Sequence, residues 1–362
     1  MSQDKRTKPG SLHLWLPPKC LGCDIIGLVS RSRMKRRDFV SYALIGGVGT
    51  LSPLKAVARE QMRRVGIIMS IAEGDPEGTA RVRAFEETLQ SLNWTAGRNL
   101  ALHYYWAAGD ADCMDSYAAE LVAMNPDVIV ANSPQVTAAI RSATRTIPII
   151  FVQVADPIGS GFVASLAKPG GNVTGFASFQ PELGGKWVEI LKEIAPRVTR
   201  VEVVLDPRFS GYVALSRVIM AAAPSFDMTP MIAEVHNELE IERAITALAR
   251  EPNSGLIVLP SPITAVYREL IAKLAVESRL PAVYPYRYFS EIGGLIAYAI
   301  DPIDLYRRAA SYVDRVLKGE KPANLPVQQP FKFEMVINLK AAKAIGLHVA
   351  GRLIARADEV IE

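Results

Sequence analysis

The sequence predicts an α/β protein built from two similar units, each a parallel sheet covered by helices. Three observations predict it. Short apolar runs alternate with longer segments whose apolar residues recur every three or four positions, the pattern of strand followed by helix. The runs are apolar nearly throughout, as strands are when both faces of a parallel sheet are buried. The same alternation is then repeated on either side of Phe179.

In the first unit RVGIIM (64–69) reads as a strand that ends at Ser70, and a helix follows through Arg81, Val82, Phe85, Leu89 and Leu92. LALHYYWAAG (100–109) is the second strand and Asp112 to Met124 the next helix. DVIVANSP runs into Asn132, Ser133 and Pro134, with a helix from Gln135 to Ser142. The run IPIIFVQVA (147–155) is a buried strand that opens onto Asp156, Pro157, Gly159 and Ser160. One or two helical turns are expected over Gly161 to Ala167, then a turn at Pro169 to Asn172 and a last strand through Val173 to Phe176. In an open parallel sheet the carboxyl ends of the strands lie on one side, where ligands collect. The loops at Ser70, Asn132 and Asp156 therefore converge on one cleft.

The second unit begins with a helix over Gly184 to Ile194. Strands follow at RVEVVLDP (200–207), TPMIAEV (229–235), SGLIVLPSP (254–262), LPAVYPY (280–286) and GGLIAYAID (293–301). Helices over Tyr212 to Pro224, Glu240 to Arg250 and Val266 to Ser278 lie between them, and a helix over Pro302 to Leu317 follows. The tail is expected to hold one or two strands and a short terminal helix. Two such units facing each other form a groove, the usual place for a small-molecule site.

The chain has 362 residues, 49% hydrophobic and 22% charged, enough for two medium domains. Its net charge of +4 comes from the amino-terminal end. Up to Ala58 there are ten Lys or Arg and three Asp or Glu, which leaves 31 basic and 34 acidic side chains and a formal net charge of −3 beyond it. That balance argues against a nucleic-acid footprint and gives no basic patch for a membrane surface. From Met34 the sequence has Lys35, Arg36 and Arg37, an apolar run from Phe39 to Leu51, and the small-residue pattern Ala56-Val57-Ala58. These are the three parts of an export signal, and Arg36-Arg37 followed by Asp38 and Phe39 resembles the twin-arginine class. Residues 1–33 are then expected to be a non-native or disordered extension, with Met34 the initiator and cleavage after Ala58. Cut there, the chain keeps Cys113 alone and relies on packing for stability. Cys20 and Cys23 form a CxxC without partner cysteines.

HExxH, Walker A and GxSxG motifs are absent, as is GxGxxG after the first strand. His103, His236 and His348 are scattered, and neither a cofactor nor a metal is expected.

The phrases DPIGSGFVASLAKPGGNVTG, KWVEILKEIAPRVTRV, GGLIAYAIDPIDLYRRAASYVDRVLKGEKPANLPVQQP and FEMVINLKAAKAIGL resemble the substrate-binding proteins of the TrpX-like ABC transporter family. The resemblance spans residues 62–349 and implies a type I periplasmic binding protein fold, two doubly wound Rossmann-like lobes joined by three crossover strands. It implies an amino-terminal lobe of 59–178 plus 301–326 and a carboxyl-terminal lobe of 179–300 plus 327–362. The implied function is the periplasmic solute-binding component of an ABC importer. It would take a small organic solute, an amino acid being favoured and an aromatic one among the candidates, and deliver it as a monomer to membrane permease subunits.

In such a fold the expected ligand-binding residues are Ser70, Asn132, Ser133, Asp156, Gly159 and Ser160 from the first lobe, with Asp206, Ser261, Tyr286 and Asp301 from the second lobe or the hinges. Asp156 or Asp301 would pair with a ligand ammonium, while Ser70, Ser133 and backbone N–H groups would receive a carboxylate. Tyr286, Phe179 or Tyr298 would cover an apolar portion. Phe176, Ser178, Phe179 and Tyr298 are the expected hinge residues. Local roles compete with these: Asp156 and Asp206 before prolines as turn caps, Ser70 and Ser133 as helix caps, Tyr286 and Tyr298 as packing residues. Members of the family often carry an acidic residue where this chain has Ser261. Two other functions fit the same cleft, an enzyme acting on a small organic acid or amino acid with Asp156 or Asp206 as general base, and a periplasmic sensory module. No basic helix-turn-helix segment suggests DNA.

Overall fold

The computed structural model describes residues 62–179, 182–208, 210–331 and 333–362. The signal-like segment, including Arg36 and Arg37, and residues 1–33 lie outside them.

Buried aliphatic runs build a five-stranded sheet in the first lobe. β1 (Arg63–Met69), β2 (Leu100–Trp106), β3 (Val128–Asn132), β4 (Ile149–Val154) and β5 (Val173–Ala177) stand in the order β2-β1-β3-β4-β5, all parallel. The intervening helices are α1 (Pro76–Ser91), α2 (Ala111–Ala123) and α3 (Ser133–Ala143). α1 and α2 are capped by the carboxylates of Asp75 and Asp110, which accept from Glu77 N and Cys113 N. Cys113 is disulfide-bonded.

The second lobe holds α4 (Leu183–Ile194), β6 (Arg200–Leu205), α5 (Ser210–Ala222), β7 (Thr229–Glu234), α6 (Glu238–Leu248) and β8 (Ser254–Val258). It continues with α7 (Pro262–Val266), α8 (Arg268–Glu277), β9 (Ala282–Tyr284), α9 (Arg287–Glu291) and β10 (Ile296–Ile300). After α10 (Pro302–Leu317) come β11 (Phe333–Asn338), α11 (Leu339–Ala344), α12 (Gly351–Ile354) and β12 (Glu359–Ile361). The sheet order is β12-β11-β10-β9-β8-β6-β7, antiparallel only between β10 and β11.

The chain passes between the sheets after Ala177, after Ile300 and after Gln328. α10 packs on α1 and on the back of β4. Trp94 Nε1 donates to Asp314 on α10 at 2.8 Å, and the Tyr306 hydroxyl meets Met69 Sδ at 3.3 Å. The segment after α10 then runs beside β5. Thr174 Oγ1 donates to Leu325 O at 2.6 Å and Gln328 N to Gly175 O at 3.0 Å, before the chain enters β11. This is the two-lobed type I periplasmic binding architecture expected from the sequence.

Local differences from expectation have physical causes. Gly161 to Ala167 forms turns, not a helix. Gly161 sits at φ +69°, the Pro157 carbonyl takes both Phe162 N and Val163 N, and Leu166 O is used by Val327 N. The helix expected from Val266 to Ser278 is two, because Ser261 caps an earlier start in a capping box with Thr264 and the chain breaks at Tyr267. β9 is only three residues long, and the chain after Tyr286 turns into α9. The tail ends in two short helices and β12, the seventh strand of the second sheet. Among the described residues no helix is long and apolar enough to cross a membrane.

Gly175 is a close-approach position within β5. Its φ is +155°, and a Cβ there would collide with the backbone of Phe151 on β4. Gly175→Ala should lower unfolding stability by about 3 kcal/mol through backbone collision and strain, measured as a fall in the urea midpoint.

Candidate functional site

The carboxyl ends of β1, β3 and β4 face Pro260, Ser261 and Tyr286 of the second lobe across a narrow cavity. Its free volume is about 30 Å³, room for a water or two, so the lobes stand closed on one another here. Four residues of the first lobe form one network. Ser70 Oγ donates to Asn132 Oδ1 at 2.6 Å, and Ser70 N donates to the same oxygen at 3.2 Å. Asn132 Nδ2 donates to Gln153 Oε1 at 2.8 Å, and Arg81 Nη1 donates to that oxygen at 3.2 Å. Gln153 Nε2 then donates to the Tyr286 hydroxyl at 3.0 Å, joining the lobes.

The backbone is bent to make this network. A register irregularity between Val152 and Val154 leaves Gln153 at φ +64°, a bulge that turns its amide into the cavity. Asn132 stands at the N-cap of α3 but makes no side-chain cap bond, because its amide serves Ser70 and Gln153. Ser133 follows at φ +90°. Non-glycine residues in this region are strained, and such strain gathers where function fixes the backbone.

Arg81 supplies the charge. It is 3% exposed, its Nη2 lies 3.3 Å from Glu77 Oε2, and its Nε has no partner. Burial opposes its charge, the Glu77 carboxylate favours it, and its pKa is raised above the ordinary arginine value. Aromatic rings form the opposite wall. Tyr286 stacks on Tyr288 with centroids 5.2 Å apart, Phe179 backs Tyr286 edge-on at 5.6 Å, and Tyr212 completes the lining. The Tyr288 hydroxyl is buried without a partner. Burial pushes the Tyr286 pKa to about 12 and those of Tyr212 and Tyr288 well above the usual phenol range, so all three remain neutral hydroxyls.

A family model described as ABC transporter substrate binding protein matches residues 64–361. The chain belongs to this family. It is 25% identical over 299 residues to a tyrosine-binding protein of Clostridioides difficile (strain R20291), covering 81% of this chain and 84% of that protein. A solved conserved domain protein from Vibrio cholerae O1 biovar eltor has a TM-score of 0.78 and 28% identity, covering 83% of this chain and 100% of the other. An ABC domain from Streptococcus pneumonia in complex with L-Trp has a TM-score of 0.77 and 24% identity, with the same coverage. The resemblance to the TrpX-like family agrees with these findings.

In this substrate-binding protein the cavity gathers Ser70, Asn132, Ser133, Ser178, Ser261 and Tyr286 of the residues expected from sequence. Ser133 Oγ accepts from Val136 N, and Ser261 Oγ accepts from Thr264 N, so each also caps its helix. The candidate acids stand outside the lining, where they serve the backbone or an arginine. Asp156 Oδ1 accepts from Gly159 N at 2.7 Å, Asp301 caps α10 through Ile303 N at 2.8 Å, and Asp206 holds Arg208 through both oxygens at 2.8 and 2.7 Å. Gly159 belongs to the Asp156 turn, and Ser160 Oγ meets Ser210 Oγ across the lobes at 3.2 Å. Of the expected hinge residues, Phe176 packs on Tyr312, Phe179 on Trp187 and Tyr286, and Tyr298 on Phe333.

Sequence reasoning missed Arg81, Gln153, Tyr212 and Tyr288. Two carried a signal: Arg81 shares the buried face of α1 with Phe85 and Leu89, and Gln153 interrupts the apolar run of β4. Among the described residues no cluster of His, Cys, Asp or Glu could hold a metal ion.

The two lobes meet at the rim of the cavity. Arg268 Nη1 pairs with Asp75 at 2.7 Å, with side chains only 12% and 9% exposed, and its guanidinium lies 5.6 Å from the Tyr288 ring centroid. Gly211 abuts Ala155 so closely that a Cβ there would come within 2.8 Å. Arg268→Ala should favour the open form and weaken solute binding by about 10-fold, the value of one charge-assisted bond. Small-angle scattering would show a larger radius of gyration, and calorimetry the weaker binding.

Proposed function

We propose that this chain is the periplasmic solute receptor of an ABC importer. It closes its lobes on a small organic carboxylate carrying a ring and presents the solute to membrane permease subunits. The observation that carries the solute class is Arg81, a buried guanidinium with an unfilled donor inside a cavity walled by tyrosines. A buried cation with a free N–H is matched by an anion, and a carboxylate accepts a charge-assisted bond from it. Tyr286, Tyr288 and Tyr212 supply flat apolar faces with hydroxyl edges, suited to an aromatic ring. The named relatives, one tyrosine-binding and one solved with L-Trp, support an aromatic amino acid. An aryl carboxylate satisfies the same arginine and the same rings.

Asp156 and Asp206, the candidate general bases, are bound to Gly159 N and Arg208 outside the cavity lining. That arrangement favours binding over turnover. The twin-arginine-type segment supports export, to be tested by cell fractionation of the wild type and of Arg36→Lys/Arg37→Lys, whose precursor should stay inside. Co-purification with permease subunits supports the importer role, and co-purification with a sensor kinase would instead select the sensory role.

Calorimetry with a panel of aromatic acids and amino acids tests the solute class. Arg81→Gln should weaken binding of the best solute by about 100-fold, in the range for removing one partner of a buried charge pair; an unchanged affinity would remove Arg81 from the site. Binding should be level from about pH 6 to about pH 9, since the solute carboxylate is ionised above that range's lower end and the arginine and tyrosines titrate above its upper end. Below about pH 5 it should weaken as the carboxylate takes up a proton.

A further inference from the structure

Resting on the reading of the cavity as a ring-carboxylate site, we propose that its solute is an aryl carboxylate without an α-ammonium group, of the arylacetate or arylpropanoate class. The inference follows from a count of donors and acceptors. Among the described residues lining the cavity Arg81 is the charged side chain, and none is acidic. Three carboxylates on the elements around the cavity are each engaged by an arginine: Glu77 by Arg81, Asp75 by Arg268 and Asp206 by Arg208.

The amide oxygens that could receive an ammonium are already used twice. Asn132 Oδ1 accepts from Ser70 Oγ and Ser70 N, and Gln153 Oε1 accepts from Asn132 Nδ2 and Arg81 Nη1. Ser133 and Ser261 accept from helix N–H groups. Among the lining residues two buried groups stand without partners, Arg81 Nε, which can only donate, and the Tyr288 hydroxyl, which can donate or accept. Both can donate to an anion. A site rich in spare donors, with its amide acceptors occupied and no counter-charge for a cation, accommodates a carboxylate and penalises an adjacent ammonium.

Matched pairs test this by calorimetry and thermal shift on the purified protein stripped of co-purified solute: phenylpropanoate against phenylalanine, hydroxyphenylpropanoate against tyrosine, and indolepropanoate against tryptophan. The expected result is that the acid lacking the ammonium binds at least about 10-fold tighter in the best pair, the consequence of burying one unmatched polar group. Equal or tighter binding of the amino acid overturns the inference and leaves the ring-carboxylate reading standing. Binding by neither member of any pair overturns that reading, and the inference with it. Ser261→Asp provides a second arm, because aspartate keeps the N-cap while adding a carboxylate to the lining. It should move the ratio of the two affinities toward the amino acid by about 10-fold. An unchanged ratio in a variant with wild-type circular dichroism counts against a missing counter-charge as the discriminating feature.

Discussion

Gln153 accepts from Asn132 and Arg81 through one oxygen and donates to Tyr286 through its nitrogen, at 2.8, 3.2 and 3.0 Å. The cavity depends on this amide. It orients the arginine in the first lobe, ties the strand ends of β3 and β4 together through Asn132, and reaches the tyrosine wall of the second lobe. Its orientation is fixed by a left-handed residue in a bulge. Asn132 forgoes its helix cap to complete the network. Two local rules are broken at neighbouring positions, and both breaches place polar groups in the same cavity.

Closure has to hold two hydrated surfaces together, and the polar contacts between them lie at different depths. Gln153–Tyr286 lies inside the cavity, Asp75–Arg268 at its rim, and Ser160–Ser210 beside the Asp156 turn. The rim pair is linked to the interior from both partners. Asp75 caps α1, the helix that carries Arg81, and Arg268 lies over Tyr288. A shift of α1 or of the Tyr288 ring is therefore felt by the ion pair, which gives solute contact and lobe closure a shared set of atoms.

The alternation of apolar runs and amphipathic helices made both sheets legible, because burial on two faces leaves an unambiguous hydrophobic record. The strand ends at Ser70, Asn132 and Ser133 were legible for the same reason, since position at a strand terminus follows from the run before it. Asp156, Asp206 and Asp301 attracted attention as acids in loops. Their carboxylates are consumed within three residues of their own positions, by Gly159, Arg208 and Ile303. Short-range capping leaves no distinct mark in a sequence. Arg81 was hidden because its amide partner Gln153 lies 72 positions along the chain, and Tyr288 because it faces Arg81 only when the lobes meet.

Burying Arg81 also sets the direction of the equilibrium between open and closed lobes. Closing over the guanidinium removes water from Nε without providing a protein acceptor, which by itself favours the open form. The rim ion pair and the packing of Gly211 on Ala155 favour the closed one. An anion that meets Nε removes the penalty only in the closed form, so its binding energy is differential between the two states, the condition for a ligand to shift a conformational equilibrium. A ring packed against Tyr286 and Tyr288 adds contact without removing that penalty. On the proposed reading of the solute as a ring carboxylate, a solute with a ring but no carboxylate should therefore bind without closing the lobes fully, since it leaves the charge at Arg81 unanswered.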